Sequence, residues 1–342
     1  MQLAGVPPKS AGMTMGSPAI AAAPAAPAPS GAGTLRVGQM NLWNFFDSTD
    51  DPKTSDEVLT PDQYAVKVQK IANAIVALGT PDLISLNEIE NADVVDALLK
   101  SDVLKGAGYK AIVEGLNDER GIRVGVLYRD SKVEVVGQEE PNPKMSFPDG
   151  GRGQIDRSKL YARAPLVVDF KLRGAEQAAN GSGILTVAVN HFKSKLGGMG
   201  PEARRQAQGQ YLGEWLDARN AAKPGATQLV LGDLNANYGD GAYEKLANRA
   251  DGSKRFYDAP MNLAESDRYT YIYRGQKDLL DHMLVTSGRE DAIKAVSVLH
   301  VNSPKGGKDG QWDPTVLQGY SDHDSLVTDF DVSKLVGARS GK

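Results

Sequence analysis

Cysteine is absent from this chain, which excludes disulfides, thiolate metal sites and a cysteine nucleophile. Histidine is scarce, with four residues at 191, 282, 300 and 323. Neither HExxH nor a comparable spacing links them, so a histidine-rich zinc site is not expected. No run of about 18 apolar residues occurs, and nothing in the sequence reads as a membrane-spanning helix. An excess of basic charge is also missing: 39 Lys and Arg face 43 Asp and Glu, for a net charge of -4. That balance argues against a protein that coats nucleic acid through an overall basic surface, but leaves room for a local basic cleft or a bound cation. Any anionic substrate must be met locally.

What is present supports a large core, with hydrophobic residues at 41% of the 342 positions. Residues 1–33 are the exception. They are dominated by Ala, Pro, Gly and Ser and end in AIAAAPAAPAPSGAG, a composition that buries too little apolar surface to order itself. They read as a disordered linker or tail, and because prolines interrupt the alanine stretch they do not make a good uncleaved secretory signal. The folded unit is expected over 34–333, followed by a flexible tail at 334–342.

From residue 34 onward, short β-rich runs alternate with helical stretches. TLRVGQMNL, DLISLNEI, RVGVLYR, KVEVV, LVVDFKL, ILTVAVNHF, QLVLGDL, HMLVTS, AVSVLHV and LVTDFDV are rich in Val, Ile and Leu and bounded by Gly, Asp or Asn, the marks of strands. TPDQYAVKVQKIANAIVALG reads as a helix in which Thr60 and Gln63 form a capping box, Pro61 takes the first helical position and Gly79 closes the end. Tyr64, Val68, Ile71, Ile75 and Leu78 form its buried stripe. A second helix is expected over 201–219, with Ala207, Tyr211, Leu212, Trp215 and Leu216 inward. Many strands and few helices suggest two sheets packed together with helices outside.

Five of the strands meet a polar cluster at one end: MNLWN after LRVGQ, LNEIEN after DLIS, NHFKSK after LTVAV, GDLNAN after QLVL, and SDHDS before LVTDF. One polar strand end is ordinary, and Asp and Ser are common turn formers. Five suggest a common rim, because strand ends in a sandwich converge on one edge whose loops carry sites. Carboxylates, amides and imidazoles without thiols suit a hard cation such as Mg²⁺ or Mn²⁺. Such a cation beside the Lys and His of HFKSK fits a phosphate ester as substrate.

In chain order, Asn41 in GQMNLWN, Glu88 in ISLNEIEN, His191 in VNHFKSK, Asp233 and Asn235 in LGDLNAN, Asp281 in LLDHMLV, and Asp322 with His323 in YSDHDS resemble the endonuclease/exonuclease/phosphatase superfamily. NEIEN, RGIRVGVLYR, NHFKSKLGG and YTYIYRGQKDLLDHMLV look most like its secreted bacterial nucleases. The resemblance implies a DNase I-like α/β fold, a four-layered αββα sandwich of two mixed β-sheets packed face to face with helices outside. It also implies a metal-dependent phosphodiesterase, secreted or periplasmic and monomeric, in which water attacks phosphorus in line. DNA or RNA is the implied substrate, with 5′-phosphate and 3′-hydroxyl ends as products. Hydrolysis of sphingomyelin or inositol phosphates on the same scaffold is a rival reading, as is a binding module that kept the fold and lost the chemistry. Two positions depart from the family pattern: Arg123 stands where Asp is usual, and Ser325 where Pro is common.

For single residues the resemblance implies that Glu88 is the main metal ligand, assisted by Asn41 and Asp322, for Mg²⁺ or Mn²⁺, with Ca²⁺ a further candidate. Asp281 supports the imidazole of His323, Asp233 orients or deprotonates the attacking water, and Asn235 holds the phosphate. Either Asp233 or His323 is the base. His191 donates to a non-bridging phosphate oxygen, while Arg163, Lys193 and Lys195 contact substrate phosphates. By strand alternation His282 should face away from the side that Asp281 faces. His300 is expected to be structural, Asp324 a neighbouring turn carboxylate, and Trp43, Phe45 and Phe46 core.

Overall fold

The computed structural model describes residues 30–31, 33–141, 144–147, 156–173, 175, 183–196, 199–305 and 308–336. In the first half of the chain the strands are β1 (Thr34–Phe45), β2 (Leu83–Ile89), β3 (Tyr109–Ile112), β4 (Arg123–Arg129), β5 (Val133–Glu139), β6 (Ser146–Phe147), β7 (Asp156–Lys159) and β8 (Leu166–Leu172). They continue with β9 (Ile184–His191), β10 (Thr227–Asp233), β11 (Phe256–Asp258), β12 (Tyr271–Tyr273), β13 (Gln276–Asp278), β14 (Asp281–Thr286), β15 (Ile293–Leu299) and β16 (Ser325–Asp331). The helices are α1 (Pro61–Ala77), α2 (Ala92–Lys100), α3 (Met199–Ala222), α4 (Gly241–Ala247) and α5 (Val332–Val336).

Twelve strands form two six-stranded sheets, in the orders β15-β16-β1-β2-β4-β3 and β11-β14-β10-β9-β8-β5. Both sheets share one plan. A parallel pair, β1 with β2 or β10 with β9, lies at the centre and is flanked on both sides by antiparallel strands. The edge strands β3 and β11 were not expected, since four and three residues are too few for an alternation to show. The two remaining pairs, β6 with β7 and β12 with β13, are small separate hairpins.

Three apolar clusters define the layers. Val37, Leu83, Phe170, Val187, Leu229 and Met283 pack between the sheets. Ile71, Ile75, Val94 and Leu98 of α1 and α2 cover Met40, Leu42 and Leu86 on the outer face of the first sheet. Leu212, Leu216 and Leu246 of α3 and α4 cover Val167, Ala188 and Val230 on the outer face of the second. This is the αββα sandwich of two mixed sheets.

The capping box of α1 is present, with the Thr60 side chain accepting the Gln63 N–H and the Gln63 side chain accepting the Thr60 N–H. Ile71, Ile75 and Leu78 are buried and Tyr64 and Val68 half-buried. Lys67 and Lys70 are buried on the same helix, against the usual preference of lysine for solvent. Their ammonium groups donate to backbone carbonyls: Lys67 to Trp43 and Tyr320, Lys70 to Gly310, Asp313 and Val316. Both therefore tie distant loops to α1. Helix α3 is longer than the expected 201–219; of its inward residues Leu212 and Leu216 are buried, and Ala207, Tyr211 and Trp215 pack half-buried against the same cluster. It crosses α4 so closely that a Cβ on Gly209 would sit 2.3 Å from the Ala242 carbonyl oxygen.

At the chain ends, Ser30 Oγ donates to Asp82 at 2.6 Å, while residues 1–29 and 32 of the expected tail lie outside the described residues. At the other end α5 buries Leu335 and Val336 in the inter-sheet core. Packing thus extends beyond the expected boundary at 333, because α5 follows β16 directly and returns these two apolar residues to the core. Residues 337–342 lie outside the described residues. Among the described residues no helix is long and apolar enough to cross a membrane.

Candidate active site

Toward one rim the inward-facing positions turn from apolar to polar. On β1, Leu35 and Val37 give way to Gln39 and Asn41; on β9, Val187 and Val189 give way to His191; on β10, Leu229 and Leu231 give way to Asp233. The carboxyl ends of the two parallel pairs bring Asn41, Glu88, His191 and Asp233 together. Their antiparallel neighbours begin at the same rim. Asp281 opens β14 opposite Asp233, and Asp322 and His323 lie just before β16.

Glu88 reaches the site by breaking the strand rule. Regular alternation would leave it on the helix-covered face with Ile84 and Leu86. Instead its φ is +61°, and the pairing of β2 with β4 slips from Asn87↔Val124 to Ile89↔Arg123. This bulge turns the carboxylate to the rim, where Oε2 accepts the Asn44 N–H at 2.9 Å. Trp43, Asn44 and Asn235 also have positive φ, so most of the six such non-glycine residues described gather here. Strain of about 1–3 kcal/mol per residue persists only where surrounding contacts enforce it, and it concentrates at functional sites. Gly232 is required for a different reason, since a Cβ there would lie 1.9 Å from the Asn190 carbonyl oxygen.

The centre of the cluster is Asp233. Its Oδ2 lies 3.3 Å from Asn41 Nδ2, 3.6 Å from His191 Nε2 and 4.0 Å from His323 Nε2, while Oδ1 accepts the Asn235 N–H at 2.7 Å. His191 Nε2 is also 3.7 Å from Glu88 Oε1. His323 Nδ1 meets Asp281 Oδ2 at 2.7 Å. Behind them Gln39 Nε2 donates to both Asn87 Oδ1 and Asp281 Oδ1, and Asn87 Oδ1 also accepts the Asp233 N–H. One inter-sheet amide pair thus positions carboxylates from two different strands.

Burial pushes Asp233 up to about 7, with His323 opposing and Asp281 and Glu88 adding to the rise. Burial and Glu88 raise Asp322 as well. For His323 burial disfavours the charge, but Asp281 outweighs it and holds the imidazole well above its ordinary value. His191 behaves oppositely: burial, then the Arg163, Arg120 and His323 cations, hold it well below. Its buried Nδ1 has no partner, while Nε2 faces two carboxylates, so the neutral ring carries its proton on Nε2.

Glu88 adds to the rise of both Asp233 and Asp322, and oxygen donors gathered in this way fit a hard cation. Glu88 and Asp322 would hold it. Asn41 fits this role less directly, because its Oδ1 accepts the Trp43 N–H and its Nδ2 faces Glu88 and Asp233. Among the described residues no group of three or more His, Asp or Glu is placed to hold an ion alone. Such a cation would retain waters, as Mg²⁺ commonly does.

The residues expected to meet substrate phosphates are less well placed. Arg163 is buried, with Nη1 on Asp118 at 2.7 Å and Nη2 on the Phe192 carbonyl at 2.9 Å. It braces the wall behind His191 instead of facing the rim. Lys195 pairs with Asp240 at 3.2 Å, and Lys193 is exposed. Asn235 sits beside Asp233 and donates to the Phe192 carbonyl at 3.3 Å.

Several participants were not anticipated. Arg120 bonds Asp118 and the Asn44 side chain, which brings its charge to His191. Tyr271 packs its ring 4.8 Å from that of His323. Gln39 and Asn87 lie inside expected strands, where only the inward alternation could have pointed to them.

The neighbouring polar residues divide differently from their appearance in the sequence. His282 does turn from the cluster, and bonds Asp258 Oδ2 at 2.7 Å and the Ala236 carbonyl at 2.8 Å. Asp324 is no surface turn residue. It is buried, accepting the N–H groups of Val301, Asn302 and Ser303 as well as the Ser303 hydroxyl and His300. Arg123 donates to the Glu90 carbonyl at 2.9 Å, a loop contact.

An αββα sandwich with clustered carboxylates and histidines on its strand-end rim defines a phosphoesterase of the DNase I-like class. The chain belongs to the Endonuclease/Exonuclease/phosphatase family, whose pattern matches residues 36–306 and whose members hydrolyse phosphate esters. Its fold is similar to that of a humanized D. rerio TDP2 (16% identity, TM-score 0.55, 87% of this chain and 99% of that one). The human nocturnin catalytic domain with bound sulfate is similar too (18%, TM-score 0.54, 87% and 94%). So is an endonuclease/exonuclease/phosphatase protein from Bacteroides vulgatus (16%, TM-score 0.55, 87% and 98%). No curated protein sequence matches the chain.

Proposed function

We propose that this hydrolase is a metal-dependent phosphodiesterase that cleaves DNA or RNA. The observation that carries the reading is the convergence on Asp233 of His191 at 3.6 Å and His323 at 4.0 Å, with Asp281 behind His323 at 2.7 Å. A related fold, D. rerio TDP2, has been solved with a single-strand DNA product, which supports nucleic acid as the substrate class.

Phosphorus is attacked in line by a water whose proton passes to Asp233. Asp233 is the base because His323, paired with Asp281, already holds its proton. The imidazolium of His323 and the Nε2–H of neutral His191 face the non-bridging oxygens, where negative charge grows in the transition state. The bond to the 3′-oxygen breaks, this oxygen takes a proton from solvent, and a 5′-phosphate remains. A Mg²⁺ or Mn²⁺ held by Glu88 and Asp322 supplies Lewis-acid stabilisation of that charge when bound.

The test is cleavage of single- and double-stranded DNA and of RNA with Mg²⁺ or Mn²⁺, comparing wild type with Asp233→Asn. Loss of at least a hundredfold in the variant is expected, with 5′-phosphate ends on the wild-type products. Equal rates in the two proteins would remove Asp233 from the chemistry.

A further inference from the structure

Next to the catalytic rim lies a cavity of about 390 Å³ whose lining includes Trp43, Trp312, Gln63, Gln311, Lys67 and Lys308. Its size falls within the usual range of small-molecule pockets. Against the core expectation for Trp43, Phe45 and Phe46, only the two phenylalanines are buried. Trp43 remains half-exposed because it and Asn44 adopt φ of +47° and +53°, which takes the indole out of the strand alternation and toward the cavity. Two consecutive left-handed residues without glycine are unfavourable, and contacts on both sides hold them.

The cavity is built rather than incidental. Lys67 Nζ donates to the Trp43 carbonyl at 3.2 Å and to the Tyr320 carbonyl at 2.8 Å. Lys70 grips the loop carrying Trp312 on both sides, at the Gly310, Asp313 and Val316 carbonyls (2.6, 2.9 and 3.0 Å). Two buried lysines of α1 therefore fix both tryptophan-bearing segments. The cavity's Trp43–Asn44 wall is also tied to the reaction site. The Trp43 N–H donates to Asn41 and the Asn44 N–H to Glu88, both at 2.9 Å.

Two indoles flanked by amides are suited to a flat, aromatic ligand with a polar edge. Gln63, whose Oε1 accepts the Thr60 N–H, keeps an amide donor for such an edge. A quaternary ammonium group also favours indoles. Here, however, Lys67 Nζ already lies 5.6 Å from the Trp43 ring centroid and takes up that cation-accepting face, while the lining sets Lys308 as well as Lys67 against one carboxylate, Glu57. That excess of positive charge and the indole face already taken disfavour a further cation relative to a neutral base.

We propose that this cavity is a nucleobase subsite, in which Trp43 and Trp312 stack the base of a nucleotide adjacent to the scissile phosphate while Gln63 and Gln311 face its edge. It rests on the nuclease reading above and adds to it a contact that is indifferent to base identity, since every base offers a π face.

The test uses short single-stranded oligodeoxynucleotides with one cleavable linkage, in which each flanking nucleotide in turn is replaced by an abasic residue. With wild type and Mg²⁺ or Mn²⁺, one abasic position is expected to lower kcat/KM about tenfold, the scale of one base–aromatic stack. Trp312→Ala should cleave the intact and that abasic oligonucleotide within about twofold of each other, and Trp43→Phe should keep most of the discrimination. Thermal unfolding of each variant separates loss of the subsite from loss of the fold. If wild type cleaves the intact oligonucleotide but no abasic position matters, or if Trp312→Ala discriminates as well as wild type, the subsite is refuted while the nuclease reading stands. If wild type cleaves no oligonucleotide, the nuclease reading and the subsite fall together. A Trp312-dependent preference for a phosphocholine ester would replace the base with a quaternary ammonium group.

Discussion

Removing either member of the Asp281–His323 pair tests whether the two act as one unit. His323 Nδ1 and Asp281 Oδ2 are 2.7 Å apart, and the pair is almost wholly buried, His323 at 7% and Asp281 at 1% exposure. Asp281→Ala leaves an imidazolium with its closest counter-charge gone, an arrangement that costs about 3–5 kcal/mol when buried. His323 then gives up its proton, and with it the charge it presents to the phosphate. His323→Ala removes the same charge directly. Each substitution is expected to lower kcat about 10³-fold, or about 4 kcal/mol. The double variant should be little worse than the weaker single, giving a coupling of about 4 kcal/mol, whereas independent roles would multiply to about 10⁶-fold. The assay is phosphodiester cleavage under saturating Mg²⁺ or Mn²⁺, at a temperature where all three variants are folded. Losses that multiply would refute the pairing. Asp324→Ala is the contrast: it strands several buried donors and should lower Tm, at about 1–3 kcal/mol or more, but preserve kcat in the protein that remains folded.

Added Mg²⁺ or Mn²⁺ should raise the Tm of the wild type, and Glu88→Gln should lose most of that rise; an equal rise in both would place the cation elsewhere. His282 bonds a carboxylate and a carbonyl, so its ring keeps both protons; burial opposes this, but Asp258 raises its pKa above the ordinary 6.5. A raised folded pKa gives stability that is full below 6.5 and is lost as pH rises through the folded value. The Tm gap between wild type and His282→Gln should therefore be widest below about pH 6.5 and narrow above it, and a gap independent of pH would contradict the charged pair. Deleting residues 1–29 should leave Tm within about 1 °C, while deletion through residue 33 should lower it because Asp82 loses Ser30.

The strands and α1 were legible because apolar alternation and a capping box are local signals. The rim was legible for the same reason: five strand ends changed from apolar to polar together. What remained hidden depends on geometry that sequence spacing does not encode. Glu88 faces the site only through a bulge, and regular alternation would turn it away. Arg163 and Arg120 are both basic residues near polar loops, and only tertiary packing buries the first behind His191 and leaves the second at the rim. Asp324 neighbours His323 in sequence but anchors the 300–303 loop, because adjacent residues before a strand point in different directions. Lys67 and Lys70 look like the polar face of α1 until the loops they bind are known.

Cation dependence of phosphodiester cleavage tests the central claim most directly. Wild-type protein dialysed exhaustively against EDTA should leave plasmid DNA and a labelled RNA intact, and millimolar Mg²⁺ or Mn²⁺ should restore cleavage in wild type but not in Asp233→Asn. Full cleavage in EDTA, or none with either cation on any nucleic acid, would contradict the account.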